Sequence, residues 1–118
     1  MKKIYHLSTC STNQHILKEL NIKDDVELID IKSNSISEKD LDFVKSKIGS
    51  YEAIFSKRAM KYKSLGLKDK NLSENDFKKY MLEEYTFLKR PFIILDEEVF
   101  IGNSKSTIEA AKKAYQNL

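Results

Sequence analysis

The sequence predicts an α/β fold: a mixed sheet of about four strands, with a helical insertion between the second and third strands. Three features indicate this fold. A strand–helix–strand pattern opens the chain, amphipathic helical segments fill its middle, and two short apolar runs precede a final helical stretch. A strand, a helix and a strand within about thirty residues form a βαβ unit, so the first two strands are expected to be parallel.

The opening βαβ unit is defined by its hydrophobic pattern. Residues 3–7 predict a short buried strand, and residues 13–20 predict a helix with Ile16, Leu17 and Leu20 on one face. Residues 26–31 are rich in β-forming side chains, which predicts the second strand.

The middle of the chain is predicted to be helical over about 37–88. Ser37 is placed to cap a helix over 38–48, and a shorter helical piece covers 51–55 before the basic stretch 56–63. Ser73, with Asp76 three residues later, resembles a capping box that opens a helix through about Leu88.

The end of the chain predicts a β-hairpin and a last helix. Phe92–Leu95 and Val99–Ile101 are the two strands, and Ser106 with Glu109 suggests the capping box of the helix. We find no repeat, low-complexity tract or linker. Residues 1–118 are therefore predicted to be a single domain that contains the helical insertion.

The charge, the apolar runs and the cysteine count of the chain argue against several classes of function. The net charge of +3 comes from basic residues interleaved with acids, which argues against nucleic-acid binding. There is no apolar run of membrane-spanning length and no signal-type leader, so a cytoplasmic protein without membrane contact is expected. A single cysteine cannot form an internal disulfide, and it fits a reducing compartment. Any redox cycle would need a second thiol from another molecule.

Cys10 is the candidate nucleophile because it lies at the junction between the first strand and the first helix. A thiol at a helix start faces unpaired backbone N–H groups and the positive end of the helix dipole, which favour the thiolate. The same donors bind oxyanions, so the neighbouring Ser11, Thr12 and Asn13 are candidate anion-binding residues. The alternative interpretation of Cys10 is a small buried hydrophobic residue.

The two arginines are the candidate anion ligands. Only Arg58 and Arg90 of the 21 basic residues are arginine, so the chain otherwise uses lysine for its positive charge. Arginine offers a planar, permanently charged fork of donors that suits an oxyanion. One cysteine and two poorly spaced histidines predict no metal site, and no bound cofactor is expected.

The order of these elements resembles the thioredoxin fold, and specific segments resemble the ArsC family. That family contains glutaredoxin-coupled arsenate reductases and Spx-type regulators. The resemblance covers essentially the whole chain and is carried by Ile4-Tyr5-His6 ahead of Cys10-Ser11-Thr12, by Arg58 ahead of Tyr62 and Leu65-Gly66-Leu67, by Arg90-Pro91 leading into Phe92–Asp96, and by Val99-Phe100-Ile101-Gly102.

This resemblance implies a role for each matching residue. Cys10 would attack an oxyanion or a glutathione adduct, Arg58 and Arg90 would hold the anion, and His6 would tune the thiol. Pro91, the only proline, would follow a cis peptide bond. Glutathione is the implied co-substrate, and a glutaredoxin-type protein the implied reductant. His6 taken alone also fits a hydrogen-bonded structural histidine of a strand.

Two departures from the family pattern leave alternatives open. Asn103 stands at or near the place of a third arginine of the reductases, where it could offer an amide donor. Asn13 replaces the second cysteine of the Cys-x-x-Cys pair in Spx-type regulators. The alternatives are therefore a non-enzymatic, Spx-like adaptor that binds RNA polymerase or another protein, and a related thiol enzyme that acts on some other small oxidant or thiol adduct.

Overall fold

The computed structural model describes all 118 residues, which form two compact units. The first unit comprises Met1–Asn34 and Arg90–Leu118, and the second comprises Ser35–Lys89. The extent of the single predicted domain stays a prediction. None of the helices is both long and apolar enough to cross a bilayer.

The first unit contains the sheet, whose strands are β1 (Lys2–His6), β2 (Glu27–Asp30), β3 (Phe92–Leu95) and β4 (Glu98–Ile101). Their order is β2-β1-β3-β4. β1 pairs with β2 in parallel, while the β1–β3 and β3–β4 pairs are antiparallel. The predicted α/β fold with a four-stranded mixed sheet is thus confirmed.

Two helices pack against this sheet, α1 (Ser11–Leu20) and α6 (Lys105–Gln116). Ile16 and Leu20 of α1 and Ile108 of α6 join Ile4 and Ile93 of the sheet in one apolar cluster. Since Ile4 and Ile93 are register partners in neighbouring strands, this cluster fixes how both helices lie on the sheet. Burial of such side chains stabilises the unit by about 1.5–3 kcal/mol each.

The second unit contains the predicted insertion: α2 (Glu38–Ile48), α3 (Tyr51–Ile54), α4 (Met60–Ser64) and α5 (Glu74–Glu83). Short 3-10 turns cover Leu67–Asp69 and Tyr85–Phe87. Ser37 caps α2 by accepting a hydrogen bond from the Asp40 N–H. The core of the unit is aromatic, since the Phe55 ring lies 4.9 Å from Phe77 and 4.8 Å from Phe87, measured between ring centroids.

The predicted end of α5 at Leu88 is wrong. The capping box of Ser73 and Asp76 opens the helix as expected, but the helix ends at Glu83, because Glu84 is extended. The chain then turns through Tyr85–Phe87 so that Leu88 forms an isolated antiparallel bridge with Phe55. Packing against a distant residue, rather than a local breaker, ends this helix.

The predicted cap of α6 is also wrong. Ser104 is the N-cap residue, and its Oγ accepts a hydrogen bond from the Thr107 N–H at 3.2 Å. Ser106 lies within the first turn of α6 instead. The helix begins two residues earlier than the Ser106–Glu109 pattern indicates, so Ser104 supplies the capping hydroxyl close after Gly102.

Candidate functional site

The candidate site lies in the first unit, at the edge of the sheet where β1 ends. Cys10 follows β1 after a three-residue loop, Leu7-Ser8-Thr9, which we call the thiol loop. β3 begins at the same edge, because Tyr5, next to the last residue of β1, pairs with Phe92, the first residue of β3. The topology therefore brings Cys10, Arg90 and Pro91 to one edge of one sheet.

Hydrogen bonds hold the thiol loop on both sides. The Leu7 N–H donates to Oδ1 of Asn13 (2.9 Å), and the Ser8 N–H donates to Oδ1 of Asp30 (3.2 Å). Nε2 of Gln14 donates to the Ser8 carbonyl (3.0 Å), and the Cys10 N–H donates to the Leu7 carbonyl (3.1 Å). The backbone that carries the thiol is consequently fixed before any ligand arrives.

Cys10 is the N-cap residue of α1, which begins at Ser11 rather than at the predicted Asn13. Its backbone is extended (φ −93°, ψ 115°), and its side chain makes no capping hydrogen bond. The thiol is half-buried and free. Ser11 and Thr12 are exposed in the first turn, where backbone N–H groups have no intrahelical acceptor. These donors and the helix dipole can receive an anion next to the sulfur.

Asn13 is placed differently from its neighbours. Its side chain is buried, and its carboxamide oxygen accepts the hydrogen bond from Leu7. That oxygen therefore stabilises the thiol loop, and the amide nitrogen is the side-chain group that could donate to an anion. The anion-binding role of Asn13 stays a prediction.

His6 is the last residue of β1 and is buried. Its Nδ1 is one of two buried side-chain nitrogen or oxygen atoms in the chain that lack a hydrogen-bond partner. Burial lowers the pKa of His6 below its usual value, and the negative charge of Asp30 offsets part of this effect. The structure thus favours a neutral imidazole beside the thiol loop.

Arg90 contributes the other buried polar atom without a partner, its Nη1. The Arg90–Pro91 peptide bond is cis, the isomer that the family resemblance implies. A buried guanidinium nitrogen without an acceptor is costly and uncommon in folded proteins. A bound oxyanion would satisfy this donor, so Arg90 is the strongest candidate for an anion ligand, and its role stays a prediction.

Asn103 follows β4 and is exposed at the same edge of the sheet. The preceding residue, Gly102, donates its N–H to the Pro91 carbonyl (3.0 Å) and adopts φ 92°, which favours glycine. The turn after β4 is thus tied to the segment that carries Arg90. The side chain of Asn103 has no hydrogen-bond partner in the protein, so its amide is available.

Arg58 belongs to the second unit and is exposed. It lines an open hollow of about 1090 Å³ whose other lining residues are mostly basic or apolar: Lys57, Ala59, Met60, Tyr62, Lys63, Ser64 and Lys68. Unlike Arg90, it presents its charge to solvent. Its predicted role at the anion stays a prediction.

Sequence reasoning missed Asp30, the last residue of β2. Its carboxylate accepts three hydrogen bonds, from the N–H and Oγ of Ser8 and from the Lys32 N–H. The donors of Ser8 lower the pKa of Asp30 below its usual value. A signal existed, because polar residues that end neighbouring parallel strands meet at one sheet edge.

A family model matches most of the chain. The model of the ArsC family covers residues 5–111, which include the thiol loop, the insertion and the hairpin. The chain belongs to the ArsC family. Membership indicates a thiol oxidoreductase of the ArsC kind, with an oxyanion substrate and a thiol reductant in general terms.

Solved structures resemble this ArsC-family chain over nearly its full length. A Yersinia pestis protein has a TM-score of 0.78 at 18% identity and covers 93% of this chain and 99% of its own. An arsenate reductase from Vibrio cholerae has a TM-score of 0.77 at 22% identity and covers 96% of each chain. An arsenate reductase (ArsC) related protein from Brucella melitensis has a TM-score of 0.67 at 19% identity, covering 92% of each. At these identities the likeness shows the fold.

No curated protein sequence matches the chain significantly. The structure contains no group of three or more His, Cys, Asp and Glu side chains that could hold a metal ion.

Proposed function

We propose that this protein is an arsenate reductase-type thiol oxidoreductase in which the Cys10 thiolate attacks an oxyanion. The observation that carries the proposal is the buried Nη1 of Arg90, which lacks a partner in the protein. Arg90 lies at the sheet edge that also carries Cys10, so an anion bound there would be next to the nucleophile. Family membership makes arsenate, or a glutathione adduct, the expected substrate class.

The anion cradle combines two kinds of donor. The first-turn N–H groups of α1 and its dipole stabilise negative charge near Cys10, and the Arg90 guanidinium supplies charge-assisted hydrogen bonds. The start of α1 is fixed before the substrate binds, since the thiol loop that leads into it is held by Asp30, Asn13 and Gln14. Donors that need no reorganisation are the most effective at stabilising charge in a transition state.

The reduction of arsenate needs electrons from thiols of other molecules. The thiolate of Cys10 forms a sulfur–arsenic bond as an oxygen of arsenate, protonated, leaves as water. Reduction of As(V) to As(III) takes two electrons, which come from the conversion of two thiols to one disulfide. Because the chain has one cysteine, glutathione supplies the second thiol, and a glutaredoxin-type protein reduces the resulting disulfide.

The test is arsenate-dependent turnover with glutathione and glutaredoxin, in the wild type and in Cys10→Ser. The proposal predicts turnover that Cys10→Ser abolishes and that inorganic phosphate inhibits by occupying the cradle. Absence of turnover in the wild type with several glutaredoxins would contradict the proposal. Turnover of a glutathione mixed disulfide alone would assign the chain to thiol-adduct chemistry instead.

A second candidate is an Spx-like adaptor that binds RNA polymerase, and one observation favours it. In the second unit Met60 is 88% exposed and Leu65 is 51% exposed, next to basic residues. Exposed apolar side chains ringed by charge are typical of protein-binding surfaces. A pull-down with purified RNA polymerase discriminates the two functions: an adaptor loses binding in Met60→Asp and keeps it in Cys10→Ser.

A further inference from the structure

Asp30 makes two hydrogen bonds to the thiol loop, whereas the side chains of Asn13 and Gln14 make one each. Its two carboxylate oxygens accept from Ser8 through different groups: Oδ1 from the backbone N–H at 3.2 Å, and Oδ2 from the Oγ hydroxyl. Oδ1 also accepts from the Lys32 N–H at 3.2 Å. A carboxylate that accepts at both oxygens cannot rotate freely, so it holds Ser8 in one place and one orientation.

The position of Asp30 is itself fixed by the sheet. Asp30 pairs with His6 in the parallel register of β1 and β2, and the Ile31 N–H donates to the His6 carbonyl at 2.9 Å. Asp30 therefore lies on a strand rather than on a loop. A strand is stiffer than the loop that it holds, which suits a group that positions another.

The link from Ser8 to the sulfur is short. Ser8 precedes Cys10 by two residues, and the Ser8 carbonyl accepts from Nε2 of Gln14 in α1 (3.0 Å). The Cys10 carbonyl in turn accepts from the Gln14 N–H (3.1 Å). A movement of Ser8 would thus shift Cys10 relative to the first turn of α1, where the anion cradle lies.

We propose that Asp30 is a positioning residue for the Cys10 nucleophile and acts through its hydrogen bonds to Ser8. This inference rests on the proposed function, in which Cys10 attacks a bound oxyanion. Asp30 does not touch the anion, because both of its oxygens are taken by Ser8 and Lys32. It therefore affects the rate of attack rather than the affinity for the anion.

The variants Asp30→Asn and Ser8→Ala test this role in two independent ways. Asp30→Asn removes the charge and one acceptor, while Ser8→Ala removes the hydroxyl and keeps the backbone N–H. The matched control is Asp25→Asn in the same unit, since Asp25 also accepts a side-chain hydrogen bond, from Tyr115 Oη at 2.8 Å, but does not contact the thiol loop.

The expected result is a selective loss of kcat. Displacement of a nucleophile by a fraction of an ångström lowers kcat by roughly 10- to 100-fold, so we expect a loss in this range for Asp30→Asn with KM for arsenate nearly unchanged. The double variant should be no slower than the slower single variant, because both changes break the same contact. Asp25→Asn should keep the wild-type rate.

A second readout separates failure of this inference from failure of the proposed function. The rate of Cys10 alkylation by iodoacetate, an anion, is compared with the rate for iodoacetamide. Iodoacetamide is neutral but has the same leaving group, iodide. Loosening of the thiol loop should lower the iodoacetate-to-iodoacetamide rate ratio in Asp30→Asn and Ser8→Ala, whether or not arsenate is reduced. If the wild type lacks arsenate turnover but the ratio falls, the proposed function fails and the positioning role stands.

Four results would overturn the inference. The first three are a wild-type kcat and an unchanged alkylation ratio in Asp30→Asn, losses that add in the double variant, and a rise in KM alone. A drop in unfolding free energy at wild-type kcat would also overturn it, because that is a purely structural role. If Asp30→Asn does not fold, the same measurements on Ser8→Ala test the inference by the same criteria.

Discussion

Arg90 and Arg58 are the only arginines of the chain, but the regions around them differ in how far they bury the guanidinium group. Arg90 precedes β3 in the first unit and has a buried Nη1 without an acceptor. Arg58 is exposed in the second unit, among lysines that line an open hollow. Sequence alone makes the two residues look equivalent.

The difference shows that burial, and not residue type, creates the demand for a ligand. Water satisfies an exposed guanidinium, so an anion that binds it gains little. A buried donor without an acceptor costs free energy until something accepts from it. The region around Arg90 therefore has a stronger need for an oxyanion than the region around Arg58.

The largest expected effect concerns Cys10, the proposed nucleophile at the same sheet edge as Arg90. Removal of a nucleophile typically costs about 10³-fold or more in rate, so Cys10→Ser should abolish arsenate reduction. Arsenate affinity should be nearly kept, because Arg90 and the start of α1 remain. Isothermal titration with arsenate checks this, and loss of binding together with turnover would contradict the separation of the two roles.

Arg90→Lys should have the next largest effect. Lysine keeps the charge but loses the planar fork, and charge-assisted hydrogen bonds are worth about 1.5–3 kcal/mol. We expect kcat/KM for arsenate to fall roughly 10- to 100-fold, and we expect phosphate to raise the melting temperature of the wild type more than that of Arg90→Lys. An unchanged kcat/KM would contradict an anion at Arg90.

Arg58→Lys is the matched control for the same substitution at an exposed position. Exposed ionic interactions contribute about 0–1 kcal/mol, so kcat/KM should fall by less than about fivefold. Steady-state kinetics of the two variants side by side measure the contrast. A larger loss in Arg58→Lys than in Arg90→Lys would reverse the ranking that burial predicts.

The two histidines, like the two arginines, differ in burial, and we expect this difference to affect how protein stability depends on pH. Burial lowers the pKa of His6 in the folded protein, so the unfolded chain binds more protons as pH falls through its usual value of about 6.5. The free energy of unfolding should therefore decrease on acidification from pH 7.5 to 5.5. Urea denaturation at both values should show a weaker decrease in His6→Gln than in the wild type.

His15, exposed on α1, is the control for that experiment. His15→Gln should keep the wild-type difference in unfolding free energy between the two pH values. An equal decrease in all three proteins would show that His6 is not the source of the pH dependence.

The sequence predicts the fold well where local signals agree with packing. α2 has the predicted bounds because Ser37 caps its start and Gly49, at φ 121°, ends it. The predicted end of α5 is wrong because the bridge between Phe55 and Leu88, distant in sequence, determines it. Local pattern cannot reveal a contact of that kind.

In the candidate site, too, some features can be predicted from the sequence and others depend on the folded packing. The resemblance of the element order to the thioredoxin fold implies that Cys10 at the start of α1 and Arg90 before β3 lie at one sheet edge. The hydrogen bonds between Asp30 and Ser8 join residues 22 positions apart, and the burial of Nη1 in Arg90 depends on the folded packing. The sequence indicates that Asp30 ends the strand next to β1, but it shows neither these hydrogen bonds nor this burial.

The most direct test of the central claim is a crystal structure of Cys10→Ser with bound arsenate, in which anomalous scattering locates the arsenic. We predict an arsenic peak beside the first turn of α1, with an arsenate oxygen within hydrogen-bond distance of Nη1 of Arg90. A peak bound by Arg58 alone, or an Arg90 Nη1 that stays without an acceptor at saturating arsenate, would contradict the proposed site.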